Sequence, residues 1–315
     1  MKKLAIVFSL LCVSMICTGK KDAEYWRMVR NGVSAKIALH VVDGGCVPLQ
    51  NADVRVVFSR FADEYTICGK TDTNGVCIVE SKTCGNKVKM YINKEGYYNS
   101  QRELSFIRMG KELDVKDGKW QPYPMDETVV LRKMKKPVKM VVEEFYRYSP
   151  TEIINTWIGF DIERNDFVAP HGKGRECDFE IYIDWNGRWL PEYSGMKIKI
   201  RFPGPYSGYY CCQKNRESDF KWPYNANPFA EYLKTACFGE SVCPDGSRKE
   251  YYFDKSKCWI VRSRCRLDEN GKLIGANYSV VSGIGMACKK GGIACFGVIG
   301  AFNPVLNDMN LEPKR

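Results

Sequence analysis

The sequence predicts a mostly β protein of two antiparallel β-sandwich-like domains, with one short helix in the second domain and disulfide bonds in both. Short runs that alternate apolar and polar residues recur along the chain, and turns rich in Gly, Asn and Asp separate them. The 315 residues, 44% of them hydrophobic, are enough for about two globular domains. Fifteen cysteines beside two histidines favour an oxidising compartment and argue against zinc enzymes that use several histidines.

The first domain is expected over residues 33–132. Ile37, Leu39 and Val41 alternate with polar or small neighbours, as a half-buried strand requires. The turn 72–75, Asp-Thr-Asn-Gly, is typical of a hairpin because Asn and Gly tolerate positive φ. Further strands are predicted at 54–58, 88–92 and 128–131, so that a sandwich of about seven short strands fits the pattern.

This stretch contains four short motifs: Val41-Val42-Asp43-Gly44, Asn51-Ala52-Asp53-Val54, Thr71-Asp72-Thr73-Asn74-Gly75 and Lys94-Glu95-Gly96-Tyr97-Tyr98. With them, most of residues 36–132 resembles the carboxypeptidase regulatory-like domain, a β-sandwich of the transthyretin type. Such a domain is usually an accessory to another domain. The resemblance therefore implies contacts with carbohydrate or protein, and it implies no catalytic residue.

A basic linker is predicted at 133–137 and a second β-rich domain at 138–315. The linker belongs to a run of cations that also fits a patch for anionic polysaccharide or lipid head groups: Arg132, Lys133, Lys135, Lys136 and Lys139. In the second domain, 179–183 and 196–202 alternate apolar with polar residues, and the polar face of 196–202 is entirely cationic. Strands are also predicted at 258–267 and 273–281, joined by the turn 268–271.

The one predicted helix lies at 227–236. Asn227 is a favourable N-cap, and Pro228 suits the first helical position. The apolar residues that would line one helical face are Phe229, Tyr232, Leu233 and Ala236.

Motifs of the second domain are Gly159-Phe160-Asp161-Ile162-Glu163, the segment 169–174, Arg262-Ser263-Arg264 and the segment 302–312. They resemble an uncharacterised family of exported bacterial proteins that carry the regulatory-like domain in front. The chain departs from that family at Met309, where an arginine is expected between Asp308 and Asn310. The resemblance covers most of the C-terminal half and implies no particular activity.

Residues 1–19 are predicted to be a signal peptide. Lys2 and Lys3 precede the apolar stretch 4–16, which is shorter than the roughly 20 residues of a membrane span. Cleavage is expected after Gly19, and the alternative is a lipid anchor on Cys17. We therefore expect export to the periplasm, outer envelope or extracellular space, with no transmembrane span. The net charge of +11 is dispersed among acidic residues, so no nucleic-acid partner is expected.

Three disulfides are predicted from the spacing of the cysteines. Cys68 would pair with Cys77 across the turn 72–75, and Cys46 would pair with Cys84. Cys288 would face Cys295 if Gly291-Gly292 forms a two-residue hairpin loop. Cys211 and Cys212 are adjacent and would point to opposite faces of a strand, either in two separate bridges or as a vicinal redox disulfide. The second domain has an odd number of cysteines, so one is expected to be free or bonded to another chain.

The best candidate for chemistry is an acidic cluster near one of the two histidines: Asp161, Glu163, Asp166 and Asp178, with His171. Three interpretations remain open. The cluster could be a charged structural turn, a calcium site, or the acid–base pair of an exported hydrolase. No metal ligand set, nucleophile elbow or phosphate loop is recognisable in the sequence.

Aromatic loops are the preferred candidate for a binding surface, because aromatic rings pack against the apolar faces of sugars. The candidate ligand-binding residues are Tyr206, Tyr209, Tyr210, Trp222 and Tyr224. The sequence thus predicts an exported non-catalytic protein that binds a carbohydrate or an envelope or host protein. The alternatives are the hydrolase and a structural envelope subunit that assembles through its odd cysteine.

Overall fold

The structure is a computed structural model. It describes residues 30–60, 63–106, 115–144, 149–151, 155–184, 197–216, 218–242, 248–251, 253–288 and 294–314. The predicted signal peptide 1–19, with Cys17, lies outside these residues. The described part of the chain has no helix with the length and apolar character that a membrane crossing requires.

The chain divides into two compact units. Unit 1 comprises residues 1–134 and 216–220, and unit 2 comprises 135–215 and 221–315. Both are built almost entirely from strands, so the mostly β prediction is confirmed. The basic stretch 133–137 contains the boundary between the units, between Met134 and Lys135.

Unit 1 has two sheets. Sheet A has the order β4-β1-β8-β7, with β9 parallel to β1, and sheet B has the order β3-β2-β5-β6. The strands are β1 Val33–Asp43, β2 Asp53–Ser59, β3 Glu64–Lys70, β4 Val76–Thr83, β5 Lys87–Asn93, β6 Ser100–Ser105, β7 Val115–Lys116, β8 Lys119–Trp120 and β9 Met125–Leu131.

The alternating residues of β1 and β2 meet in the core of unit 1, as their pattern predicts. Ile37, Leu39 and Val41 are fully buried and share one cluster with the buried residues of β2. The turn 72–75 forms, since Asp72 Oδ1 accepts the N–H groups of Asn74 and Val76. It does not make a hairpin, however, because β3 and β4 lie in different sheets.

A short segment from the second half of the sequence belongs to unit 1. The ring of Phe220 is 1% exposed and stacks on Tyr98 at 4.8 Å between centroids. The guanidinium of Arg132 lies 4.3 Å from the centroid of the same ring and donates to the Phe220 carbonyl at 2.8 Å. The prediction that assigned 216–220 to the second domain is corrected by this packing, which a pattern of local residues does not encode.

Unit 2 has two six-stranded sheets. Sheet C has the order β10-β21-β20-β19-β16, with β11 beside β21, and sheet D has the order β13-β12-β14-β15-β17-β18. The strands are β10 Val141–Glu143, β11 Ser149–Thr151, β12 Trp157–Asp161, β13 Asp166–Phe167, β14 Phe179–Asp184, β15 Lys197–Arg201, β16 Gly208–Gln213, β17 Thr235–Val242, β18 Arg248–Tyr251, β19 Lys257–Leu267, β20 Leu273–Cys288 and β21 Ala294–Asn303.

Sheet C is covered on both faces. Its inner face packs on sheet D around a cluster that includes Phe179, Trp259 and Phe296. Its outer face carries a second cluster around Ile260 and Tyr278. Residues 258–261 of β19 are therefore all buried, as a strand covered on both sides requires.

The predicted helix at 227–236 is wrong. Asn227 Oδ1 does accept the N–H of Phe229 at 3.0 Å, but the segment makes a turn instead of a helix. Leu233 then exchanges backbone hydrogen bonds with Tyr209, and β17 begins at Thr235. Phe229 is left 94% exposed. The capping signal is local, whereas the strand pairing that overrides it is a tertiary contact.

The C-terminal residues hold the start of unit 2. The carboxylate of Glu312 is buried and accepts the N–H groups of Lys135 and Lys136, both at 2.7 Å. Asn310 also donates to the carbonyl of Lys136 at 2.6 Å. The basic run is thus fixed by its backbone at Lys135 and Lys136, and both of these lysines are exposed.

The predicted disulfide between Cys68 and Cys77 does not form, and both thiols are free. Cys68 is exposed on β3, whereas Cys77 is buried on β4. The sulfur of Cys77 lies against Gly69, the neighbour of Cys68. Because adjacent residues of a strand point to opposite faces, Cys68 turns away from Cys77.

The predicted bridge between Cys46 and Cys84 is also wrong, since both are free. β1 pairs with β4 so that Val33 is opposite Thr83. Cys46 follows the other end of β1, which places the two cysteines about 30 Å apart at roughly 3.3 Å per residue. A disulfide needs Cα atoms within about 7 Å of each other.

The third predicted bridge, Cys288 with Cys295, falls on β20 and β21. Cys288 pairs with Ala294, and Cys295 pairs with Ala287, so the two backbones are offset by one residue in the register. The loop Gly291-Gly292 and the side chains of both cysteines lie outside the described structure.

Phe220→Ala is expected to lower the free energy of unfolding of unit 1 by about 3 kcal/mol, because it removes a buried ring that stacks on Tyr98. Phe229→Ala removes the same ring from an exposed site and should change stability by less than about 0.5 kcal/mol. Urea denaturation followed by circular dichroism measures both. Equal losses in the two variants would contradict the packing of 216–220 in unit 1.

Alkylation of the native protein should label exposed thiols and leave buried thiols unlabelled. Burial raises the pKa of the Cys258 thiol to about 12, so roughly one molecule in 10⁴ carries the thiolate at pH 8. Cys46 is exposed and should react with iodoacetamide without any reductant. Peptide mass spectrometry should find Cys46 labelled in the native protein and Cys258 only after unfolding. Labelling of Cys46 only after reduction would show that it is in a disulfide.

Candidate functional site

Three of the predicted acidic residues converge on one guanidinium. Arg264 donates to Asp161 at 2.9 Å, to Glu163 at 2.6 Å and to Asp178 at 3.0 Å. Asp161 and Asp178 are buried, and Ser263 lies 2.6 Å from Asp178 as a further donor. The sequence predicted the carboxylates as a group, but it gave no role to Arg264.

A bulge in β19 aims Arg264 at these acids. The pairing of β19 with β20 shifts register after Ser263, and Arg264 has a φ of 50°, in the left-handed region. Glycine is favoured at such a position, so the arginine adopts a strained backbone there. Its guanidinium also lies 4.3 Å from the ring centroid of Phe302. Asp161 ends β12 and Asp178 precedes β14, so the ion pairs join sheet C to sheet D.

Burial and charge act in opposite directions within this cluster. Burial raises the pKa of Asp178, and the opposing attraction of Arg264 leaves that pKa above its ordinary value. Burial lowers the pKa of Arg264, but the attraction of Asp178, Glu163 and Asp161 outweighs burial and raises it. The guanidinium therefore stays charged, and it holds the three carboxylates in a fixed arrangement.

The rest of the predicted acidic site is structural. Asp166 accepts the N–H of Lys173 at 3.0 Å. A Cβ on Gly172 would lie 2.5 Å from Asp166, and a Cβ on Gly174 would lie 2.8 Å from Asp161, so both positions require glycine. His171 is exposed on this turn. Among the contacts of the described residues, none joins the imidazole of His171 to the carboxylates. The described residues also contain no cluster of three or more His, Cys, Asp or Glu side chains that could hold a metal ion.

The five predicted aromatic residues do not share one binding surface. Tyr209 is 7% exposed and stacks on Trp259 between the sheets, at 3.9 Å between centroids. Tyr210 points to the opposite face, where its hydroxyl accepts the N–H of Asn227 at 2.7 Å. Tyr206 is the exception, because its side chain is 37% exposed.

Trp222 and Tyr224 are half-buried. The indole N–H of Trp222 donates to the carbonyl of Leu311 at 2.7 Å. The ammonium of Lys135 lies 4.3 Å from the ring centroid of Tyr224. Trp222 thus packs against the outer cluster of sheet C, and the ring of Tyr224 is engaged by a cation, so neither forms an open platform for a sugar.

A cleft that the sequence does not reveal opens in unit 2 beside Tyr209. It has a volume of about 370 Å³, and we call it the Trp259 cleft after the ring at its floor. Phe238 and Phe253 pack around Trp259, with centroids 5.3 and 5.5 Å away. Its other lining residues include Cys211, Thr235, Cys237, Asp254 and Lys257. Trp259 stands in the apolar run 258–261, which predicts a buried strand but gives no sign that one side of it is open.

The polar groups of the cleft lie on its walls. The hydroxyl of Tyr209 donates to the carbonyl of Thr235 at 3.3 Å, and burial raises the pKa of that hydroxyl. Asp254 pairs with Lys257 at 3.3 Å, and hydrogen bonds from Ser256 lower the pKa of Asp254. An apolar floor with a charged pair beside it can hold an apolar group and orient its polar neighbours.

Unit 1 has a concave surface of different character on the outer face of sheet B. Its volume is about 490 Å³, and its residues are mostly polar. The guanidinium of Arg55 lies 4.3 Å from the ring centroid of Tyr91, with Asp53 and Gln101 on the same surface. The ring of Tyr91 is thus already engaged by a cation.

No family model and no curated protein matches the chain. Among solved structures, it is similar to the 3-chlorocatechol 1,2-dioxygenase of Rhodococcus opacus, with 14% identity over 33% of this chain and 62% of that one, and a TM-score of 0.27. A catechol 1,2-dioxygenase mutant of Acinetobacter radioresistens gives 15% identity, coverage of 34% and 54%, and a TM-score of 0.25.

The shaft pilin SpaA of Lactobacillus rhamnosus gives 11% identity over 56% of this chain and 90% of that one, with a TM-score of 0.22. The chain spans less than two thirds of the length of either dioxygenase. Likenesses at this level assign neither a fold family nor an activity.

Arg264→Met is expected to lower the free energy of unfolding by about 3 to 5 kcal/mol at pH 7, because it leaves buried carboxylates without their cation. Lys199→Met is the matched control, since the pair of Lys199 with Asp184 is about half exposed and should contribute less than about 1 kcal/mol. Urea denaturation measures both variants.

The loss in Arg264→Met should depend on pH. Without the guanidinium, the pKa of Asp178 rises further above its unfolded value of about 3.9. A raised pKa in the folded state means that stability is present at low pH and falls as the pH rises through that pKa. The difference from the wild type should therefore be smaller at pH 4.5 than at pH 7. A difference that grows on acidification would contradict this assignment.

Proposed function

We propose that the protein is an exported, non-catalytic binding protein whose ligand enters the Trp259 cleft. The observation that carries this proposal is the cleft itself, in which Trp259, Phe238 and Phe253 form an apolar floor at an open side of the sandwich. Its volume of about 370 Å³ falls within the range of ordinary ligand pockets. The ligand would be a carbohydrate or a protein that offers a flat or bulky apolar group.

The non-catalytic part of the proposal is supported by the acidic cluster. A general acid or base must exchange a proton with its substrate. Asp161 and Asp178 are buried, and both bond to Arg264. This arrangement is typical of an ion pair that stabilises a fold.

Export is supported by the predicted signal peptide at 1–19 and by the number of cysteines. The resemblance of unit 1 to a regulatory-like domain agrees with an accessory role for that unit. Under this proposal, binding belongs to unit 2.

The test uses the full chain against two panels, a glycan array and a displayed library of random dodecapeptides. Phe253→Ala removes one ring of the apolar floor and should weaken the binding of the strongest binder from either panel at least tenfold. Phe229→Ala removes an equally apolar ring that is 94% exposed outside the cleft, and it should leave affinity unchanged.

Tyr206→Ala tests the alternative that the ligand binds the exposed aromatic loops instead of the cleft. Loss of binding in Tyr206→Ala, with full binding in Phe253→Ala, would move the site to the exposed loops and overturn the cleft. Circular dichroism of each variant shows that the fold is intact.

A further inference from the structure

We infer that the ligand of the Trp259 cleft is an extended polypeptide segment of a partner protein, which adds as a strand to the free edge of β16. This inference rests on the proposed function, since it names the ligand of the same cleft. It follows from the direction of the backbone groups on the two strands that border the opening.

The first border is β16, the last strand of sheet C. β16 pairs with β19 in a register that sets Cys212 opposite Cys258. In the continuation of that register, the N–H of Lys214 donates to the carbonyl of Ser256 at 2.8 Å. Backbone groups alternate in direction along a strand, so even-numbered residues of β16 bond to β19. The N–H and C=O groups of Cys211 and Gln213 therefore point away from sheet C.

Tyr209, the odd-numbered residue before Cys211, has backbone groups that point the same way and that do find partners. Tyr209 exchanges backbone hydrogen bonds with Leu233, at 3.1 and 2.8 Å. Beyond that point the edge is open: within the described chain, no backbone hydrogen bond on this side reaches Cys211 or Gln213. Both residues are exposed.

The second border is β17 of sheet D. The N–H of Phe202 donates to the carbonyl of Lys234 at 2.9 Å, in register with the pairing of β15 and β17. By the same alternation, the backbone groups of Cys237 point away from β15. Among the described residues, the pairing of β18 with β17 runs from Gly239 to Val242. The cleft is thus bordered by a second stretch of strand edge.

An extended chain is the ligand that fits these borders. The outward groups of Cys211 and Gln213 are two residues apart, about 6.8 Å along the strand, which is the repeat of backbone donors and acceptors in a partner strand. Every second side chain of that strand would point into the cleft, onto Trp259 and Phe253. Backbone hydrogen bonds would supply affinity, and the apolar floor would select a bulky apolar side chain.

A second copy of this chain fits less well. If two β16 edges paired, the side chains brought to the cleft side would be Cys211 and Gln213 of the other copy. Neither is a large apolar group, so the floor of the cleft would remain uncovered. We therefore assign the edge to a partner with alternating apolar residues.

The experiment compares two substitutions at one position. The strongest binder from the dodecapeptide library is synthesised, and its Kd is measured under reducing conditions for the wild type, Cys211→Ala and Cys211→Pro. Both variants remove the thiol, but only proline removes the outward N–H, and proline is tolerated on an edge strand whose N–H faces solvent. We expect Cys211→Pro to bind at least tenfold more weakly than Cys211→Ala.

A second measurement serves if Cys211→Pro does not fold. The same peptide is made with N-methyl groups on alternate residues, in the two possible phases. One phase should abolish binding, and the other should retain it, because only one set of N–H groups faces β16.

Each other outcome overturns the inference. Equal affinity for Cys211→Pro and Cys211→Ala, with weak binding by Phe253→Ala, would refute strand addition but keep the cleft as the site. Selection of glycans and no peptides would assign the cleft to carbohydrate. A wild-type dimer in light scattering that Cys211→Pro dissociates would assign the edge to a second copy. If Phe253→Ala left the affinity of the selected peptides unchanged, the Trp259 cleft would not be the binding site, and the proposed function would be overturned as well.

Discussion

The ion pairs of Arg264 join the two sheets of unit 2 at one end of β19. The arginine extends from sheet C to Asp161 and Asp178, which flank strands of sheet D. A charged group buried in this way is stable only when its partners and hydrogen bonds are complete, and Ser263 and backbone N–H groups complete them here. The bulge that turns Arg264 inward also interrupts the pairing of β19 with β20. The spacing of the two sheets at this end is therefore set by electrostatics as well as by apolar packing.

Five residues before Arg264, the same strand carries Trp259. The buried residues 258–261 alternate between the two faces of sheet C, so Trp259 and Val261 face sheet D while Cys258 and Ile260 face the outer cluster. β16 ends sheet C beside Trp259, and no described strand covers its outer edge at Cys211 and Gln213. An open edge next to an apolar floor is normally a liability for aggregation. In this protein it is short, and it is the feature from which we infer peptide binding.

The sequence predicted the strands well where one face is buried, as in 37–41, 54–58 and 179–183, because period-two alternation is a local signal. It failed where a distant contact decides the outcome. Asn227 caps a turn and no helix follows, since Leu233 pairs with Tyr209. Three of the four grouped acidic residues meet, but their shared partner Arg264 is 86 to 103 residues away in the chain. The rings of the cleft come from three separated segments, so no spacing rule could have assembled them.

Strand addition requires that the outward edge of β16 is free in the unliganded protein, and amide hydrogen exchange tests this requirement most directly. Exchange followed residue by residue by NMR compares four consecutive amides of one strand. We expect slow exchange at Tyr210 and Cys212, whose N–H groups bond to β19, and fast exchange at Cys211 and Gln213. Slow exchange at all four amides would mean that the edge is already covered, and it would contradict strand addition at β16.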